Sequence, residues 1–385
     1  MTQALNKQQI DEVIERWSGY IDQAPLYAFG FSKTMWMYHL LEKPPLFSLF
    51  KGLYDNSPDM WNRRVNGLKV LPLNEIKNRP GPIVVFPQAW AAIRRQLEEY
   101  GLVENVDFIR RDDFLAIYHY HRLGEICFPQ SPTILLTSRC TLRCRQCSHY
   151  IPDLEEHVDV PVERLKEEAE LLFSLVDKMC AVSCIGGEPL LYPHLGEYLN
   201  FIGDKFRDKF YFLALTTNGT LKPGPELLKI FKKFDLAVAV SDYSGAGIKN
   251  YEKNFRELLD LLRQEGLCHS VSRQEWISVE QKEADRKLSL EALNRKYADC
   301  VDRVQCPIYH DGKLYPCGTQ YLRERRGDLP HDGLGVLDFR QMSKDDPSDR
   351  RRLLRFALRH CESGHLPACR DCHSVDSETV PAGLQ

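Results

Sequence analysis

The chain has 385 residues, 43% hydrophobic and 10% aromatic, enough apolar side chain to bury more than one core. At about 100–200 residues per domain, this length predicts two or three domains. Lys and Arg total 51 against 54 Asp and Glu, so a net charge of −3 gives no global pull toward nucleic acid or an anionic membrane. Apolar runs such as Leu236–Val240 and Pro82–Phe86 are too short to span a bilayer, and Met1–Asn6 leads into a charged amphipathic stretch instead of a signal-peptide core. Thirteen cysteines without a secretion signal are expected to stay reduced, in the cytoplasm.

Ala4–Ile21 reads as an amphipathic helix, with Leu5, Ile10, Val13, Ile14 and Trp17 on one side. Residues 22–125 then alternate strands and helices. Leu26–Phe29 is a strand ending at Gly30, and a helical stretch runs on to about Leu41. Leu49–Tyr54 is a strand closed by the turn Asp55-Asn56-Ser57-Pro58. Val70–Leu73 and Ile83–Phe86 are further apolar runs, and the helix Trp90–Tyr100 stops at Gly101. Short links between such elements predict a small parallel α/β domain.

Residues 126–299 repeat the alternation with a difference: each strand ends in a polar or glycine-rich motif. Thr133–Leu136 runs into a cysteine cluster, and Val182–Ile185 ends in Gly186-Gly187-Glu188-Pro189. Tyr211–Leu215 ends in Thr216-Thr217-Asn218-Gly219, and Leu236–Val240 ends in Ser241-Asp242. Helices are expected over Val160–Leu175, Glu226–Phe234 and Asn254–Glu265. Parallel β/α barrels place working residues at strand C-termini in this way. About six strand–helix units predict a partial barrel. Residues 300–385 read as irregular and rich in Cys and His, with a basic helix over Arg350–Arg359 capped by Ser348 or Asp349.

Cys140, Cys144 and Cys147 have the spacing C-x3-C-x2-C. Three thiolates on one loop can hold three irons of a [4Fe–4S] cluster and leave the fourth open. Tetrahedral zinc with His149 as fourth ligand is the rival reading, and three unrelated core cysteines the plainest one. Cys127, Cys180, Cys184 and Cys268 read as core cysteines.

The triplet at the end of a first barrel strand resembles the signature of the radical S-adenosylmethionine (SAM) superfamily. The resemblance implies an open iron that chelates SAM and donates one electron, and a 5′-deoxyadenosyl radical that abstracts hydrogen from substrate. Gln146 departs from the aromatic residue often found before the third cysteine. Gly186-Gly187-Glu188-Pro189 resembles the family motif that binds the methionine ammonium. Asn218, Ser241 and Asp242 stand where the family binds ribose hydroxyls and the methionine carboxylate. The implied partner is an external one-electron donor of flavodoxin or ferredoxin type.

Six cysteines follow the barrel. Cys306 to Cys317 reads as a hairpin with Asp311-Gly312 at its turn, and Cys369-x2-Cys372 adds a second thiol pair. This resembles the SPASM or twitch extension of radical enzymes, in its one-cluster form. Cys306, Cys317, Cys369 and Cys372 are the expected ligands of an auxiliary [4Fe–4S] cluster, with Cys300 as a possible substitute and a zinc knuckle as the rival. His149, Tyr150, Tyr243 and His310 lie near the motifs and read as structural, so no catalytic residue is assigned.

In the front domain, Phe29-Gly30-Phe31-Ser32 sits where a dinucleotide fingerprint would, and Asp55 where an acid would reach a ribose, but only the first glycine is present. The segment resembles Rossmann-like domains of sugar-nucleotide biosynthesis; nucleotide binding and a docking role both remain open. The fold class expected is α/β: a partial parallel barrel between a Rossmann-like domain and a Cys-rich extension. The function expected is radical oxidation of, or elimination from, a small polyol, amino sugar or nucleotide sugar. The alternatives are a peptide maturase and a zinc-containing, non-enzymatic scaffold.

Overall fold

The computed structural model describes residues 5–32, 45–87, 89–273, 276–277, 288–300, 307–330, 333–370, 372 and 379–385. The expected helix running to Leu41 and the thiol of Cys306 lie outside these residues. Two compact units are present, Lys7–Pro129 and a second built on Gln130–Gln385.

The first unit contains α1 (Lys7–Gln23), β1 (Leu26–Phe29), β2 (Phe50–Asp55), β3 (Arg64–Val65), β4 (Leu68–Pro72), β5 (Ile83–Val85), α2 (Trp90–Glu99), β6 (Phe108–Arg110) and α3 (Arg111–Tyr118). Its sheet order is β3-β4-β2-β1-β5-β6. All pairs are parallel except β3 with β4. Counting parallel strands alone, the order is 3-2-1-4-5, that of doubly wound folds. β1 is buried along its whole length, as a strand covered on both faces must be. The expected boundary after residue 21 does not separate α1 from this unit. Trp17 is fully buried against Phe114, and its indole N–H donates to the Asn105 carbonyl at 3.0 Å.

The second unit carries β7 (Thr133–Leu135), α4 (Val162–Leu175), β8 (Lys178–Ile185), α5 (Leu195–Phe206), β9 (Phe210–Thr217), α6 (Pro225–Lys233), β10 (Ala237–Ser241), α7 (Tyr251–Gln264) and β11 (His269–Ser272). After α8 (Leu290–Asp299) come β13 (Ile308–His310), β14 (Lys313–Tyr315), α9 (Gly318–Arg326), β15 (Leu337–Asp338) and α10 (Pro347–Ala357). The sheet runs β11-β10-β9-β8-β7-β13-β14-β15. Its strands from β11 to β13 are parallel, and no pairing between described residues joins its two ends. Leu213, Leu215, Val238 and Val240 form its fully buried face. Ala214, Thr216, Ala239 and Ser241 alternate with them as a half-buried face of small side chains.

The Cys-rich extension is less separate than its irregular sequence suggests. β13 and β14 form the expected hairpin, with Asp311 and Gly312 at φ 50° and 65°, the two left-handed positions of a type I′ turn. β13 also pairs with β7, so the hairpin continues the barrel sheet. The reason is apolar: Ile308, Tyr315, Tyr321 and Leu322 pack with Leu135 of β7 in one buried cluster. α10 starts two residues earlier than expected of its caps. Asp346, not Ser348 or Asp349, accepts the Ser348 N–H. Cys184 is fully buried and Cys127 nearly so, whereas Cys268 is exposed because it sits in the link leading to edge strand β11. Segment β12 (Trp276–Ile277) pairs antiparallel with β16 (Thr379–Val380).

Candidate active site

The chain leaving β7 and the chain leaving β8 lie side by side. The Gly187 N–H donates to Thr137 O at 2.9 Å, and the Glu188 N–H to Arg139 O at 2.8 Å. This contact explains the two glycines. A Cβ on Gly186 would stand 2.4 Å from Thr137 O, and one on Gly187 would stand 2.3 Å from Arg139 O and 2.9 Å from Cys140 Cβ. The glycine pair is therefore a seat for the strand that delivers Cys140.

Cys147 raises the pKa of Cys140, and Cys140 and Cys147 both raise that of Cys144, so the three thiols lie within electrostatic reach on one loop. Burial is the larger cause in all three, pushing the Cys144 thiol up to about 11. Among the described residues, no three His, Cys, Asp or Glu side chains close on one point as the ligands of a single metal ion do. A [4Fe–4S] cluster makes a different demand, because each thiolate binds its own iron at its own corner. Three soft thiolates on one loop fit that group. His149, the fourth ligand of the zinc alternative, has Nδ1 at 3.2 Å from Gly186 O, and burial pushes its pKa down.

Glu188 is wholly buried and makes no bond that a ligand could share cheaply. Oε2 accepts the Asn218 N–H at 2.8 Å, Oε1 accepts the Leu190 N–H at 3.1 Å, and the Thr217 hydroxyl sits 3.0 Å from both. Burial pushes its carboxyl up to about 7 against those donors. Its carboxylate ties the end of β8 to the end of β9. The Asn218 amide donates to Thr141 Oγ1 at 3.0 Å and approaches Cys140 Sγ at 3.5 Å, while its Oδ1 accepts from Thr220. Asp242 Oδ1 accepts the Ser244 N–H at 2.8 Å. The Ser241 carbonyl accepts from the Tyr251 hydroxyl at 2.7 Å.

Tyr251 is a participant that sequence reading missed. Fully buried on α7, it receives the Tyr243 N–H at 2.9 Å and also lies 3.1 Å from Asn218 O, joining the ends of β9 and β10. A tyrosine inside an amphipathic helix carries no local sign of such a role.

The C-terminal thiols form a second set. Burial raises Cys317 well above the ordinary thiol value and Cys369 to about 12, and each feels Cys300 and Cys372. Cys300 thus stands with Cys317, Cys369 and Cys372; Cys306 lies outside the described residues. Cys361 packs nearby, but its sulfur contacts Ser363 Oγ at 3.2 Å and His365 O at 3.4 Å. Tyr150 donates its N–H to Cys147 O at 2.9 Å, and its hydroxyl, beside the Arg326 guanidinium at 4.2 Å from the ring, lies within electrostatic reach of Cys372.

A cavity of about 550 Å³ opens beside the triplet, lined in part by Thr137, His149, Gly186, His310, Lys313 and Arg325. This lies within the size range of ligand sites, roughly 300–1,000 Å³. In the first unit, Asp55 is committed locally. Its oxygens accept the Phe31 N–H at 2.9 Å and the Ser57 N–H at 2.8 Å. No helix among the described residues is long and apolar enough to cross a membrane.

Residues 134–269 match the Radical SAM superfamily model. Over this span the chain is a radical SAM domain, of a superfamily of enzymes that use a [4Fe–4S] cluster and SAM. The antilisterial bacteriocin subtilosin biosynthesis protein AlbA of Bacillus subtilis (strain 168) is 34% identical over 113 residues, 29% of this chain and 23% of AlbA. The matched stretch is thus under a quarter of that relative's length. Among solved structures, BtrN in complex with AdoMet and 2-DOIA is 16% identical, covering 66% of this chain and 98% of its own, at a TM-score of 0.39. The enzyme anSMEcpe with bound AdoMet and Kp18Cys peptide is 13% identical, covering 66% and 94%, at a TM-score of 0.40.

Proposed function

We propose that this chain is a radical SAM enzyme that modifies a peptide. The observation that carries the enzymatic part is the triplet Cys140, Cys144 and Cys147, gathered on the loop after β7 and seated against Gly186 and Gly187. Cluster and SAM, when bound there, supply a one-electron reductive cleavage that yields a hydrogen-abstracting radical. The Gly186–Glu188 segment and Asn218 lie against the loop of the triplet, and with Ser241 and Asp242 at the next strand end they are the residues assigned to SAM. Because the Glu188 carboxylate is already bonded, the main-chain groups of that segment are the ones assigned to the methionine end. The peptide class is favoured by the identity with AlbA, a protein named for the biosynthesis of a bacteriocin. The cavity at Lys313 and Arg325 is the assigned substrate site.

Cys300, Cys317, Cys369 and Cys372 are the thiols assigned to an auxiliary cluster, which would accept the electron left on an oxidised substrate. The donor is an external flavodoxin or ferredoxin, and labile clusters suit a reducing cytoplasm. A small polyol, amino sugar or nucleotide sugar is the second reading. It is favoured by the doubly wound strand order of Lys7–Pro129, an order that dinucleotide-binding folds share.

Iron analysis and electron paramagnetic resonance of anaerobically reconstituted protein test this. About eight irons are expected in the wild type, and about four in a Cys140/Cys144/Cys147→Ala variant that no longer responds to SAM. Zinc without iron in the wild type would overturn the reading. Turnover of a sugar with no action on peptides would move the assignment to the second one.

A further inference from the structure

The loop that carries the triplet has no regular structure, so its backbone N–H groups need acceptors from elsewhere. Two of them are met by one distant segment. The Arg145 N–H donates to Leu384 O at 2.7 Å, and the Arg143 N–H donates to Gln385 Oε1 at 2.8 Å. Because Oε1 is held by an N–H, the Gln385 amide must present its NH2 the other way. Nε2 lies 3.3 Å from Cys144 Sγ and 2.6 Å from Gly383 O.

The segment is itself anchored. β16 pairs with β12, and the Trp276 ring of β12 meets Tyr243 edge-on at 5.5 Å. Gly383, at φ +75°, lies flat on Tyr243, where a Cβ would come within 2.8 Å of the ring. Tyr243 follows directly on the Ser241-Asp242 strand end.

We infer that Thr379–Gln385 is a clamp on the cysteine loop, and that Gln385 is a positioning residue that sets the geometry and the sulfur hydrogen bonding of Cys144. The inference rests on the reading of the triplet as cluster ligands. Outer-shell hydrogen bonds of this kind govern how firmly a metal group is held, and N–H donors to thiolate sulfur favour the reduced cluster.

The test uses the full chain, reconstituted anaerobically as wild type, Gln385→Ala and Gln385→Glu. Iron release to a chelator and a redox titration of the SAM-responsive signal are the two readouts. Gln385→Ala is expected to release the triplet's iron about tenfold faster. Gln385→Glu keeps an acceptor for Arg143 but turns a carboxylate oxygen toward the sulfur, so its potential is expected to fall below that of Gln385→Ala. Wild-type release and wild-type potential in both variants would overturn the clamp while leaving the cluster assignment intact. Faster release with an unchanged potential in Gln385→Glu would overturn the sulfur contact. A wild type with no iron at the triplet would overturn the proposed function, and the clamp with it.

Discussion

Glu188 shows how a motif residue can serve a site without touching a ligand. Each of its oxygens takes one backbone N–H, so Gln at this position would turn an NH2 group toward a buried donor. Glu188→Gln is expected to cost about 1–3 kcal/mol, read from chemical unfolding. The pH dependence follows from burial. The folded carboxyl titrates at about 7 against an ordinary 4.5, so between those values the folded form holds a proton that the unfolded chain has lost. Stability from this group is therefore full below the unfolded value and falls as pH rises through the folded one. The wild-type advantage over Glu188→Gln is expected to shrink between about pH 5 and pH 8. A constant difference across that range would show that the carboxyl is not protonated in the fold. Gly186 and Gly187 were legible as a place of close approach. What approaches, the backbone from Thr137 to Cys140, was not, because that contact joins residues about fifty positions apart.

Elements of clear period were readable at their centres. β8, β9 and β10 coincide with apolar runs, and α2 stops where Gly101 predicts. α5, α8, α9 and β11 were not anticipated. β11 has the exposed pattern of an edge strand and α9 a mean composition dominated by charge, so neither shows an apolar stripe. The hairpin β13–β14 was anticipated, including its turn. Its pairing with β7, of Ile308 with Thr133, was not, since parallel pairing of strands so far apart in the chain leaves no local trace. Gly312 at φ +65° has no room for a side chain, as a Cβ would meet Arg340 at 2.9 Å. Gly312→Ala is expected to cost about 1–2 kcal/mol from backbone strain, and slightly more from displacing Arg340. A lowered thermal midpoint with faster exchange at the Tyr309 amide would show that the hairpin supports the sheet edge. Unchanged exchange there would show that β7 holds β13 without the turn.

Among the described residues, two sets of cysteines stand within electrostatic reach of one another, while others, such as Cys127 and Cys184, are spent on packing. Cys184 and Cys361 are buried among apolar or hydrogen-bonding neighbours, whereas the two sets stand on loops and at element ends. The sets are expected to load independently. A Cys317→Ala/Cys369→Ala variant should lose about four irons and keep a SAM-responsive signal. Loss of that signal would mean that the second set supports the first.

By itself the sequence determined the chemistry available: three thiols at a fixed spacing, a glycine pair and polar strand ends in one order, each a local property of residue type and position. Which groups remain free for that chemistry was decided only in three dimensions. Folding brings β9 to Glu188 and occupies its carboxylate, draws Cys300 beside Cys317, and carries Gln385 back to Cys144. Each of these follows from strand pairing and burial between distant segments, which no window of sequence contains.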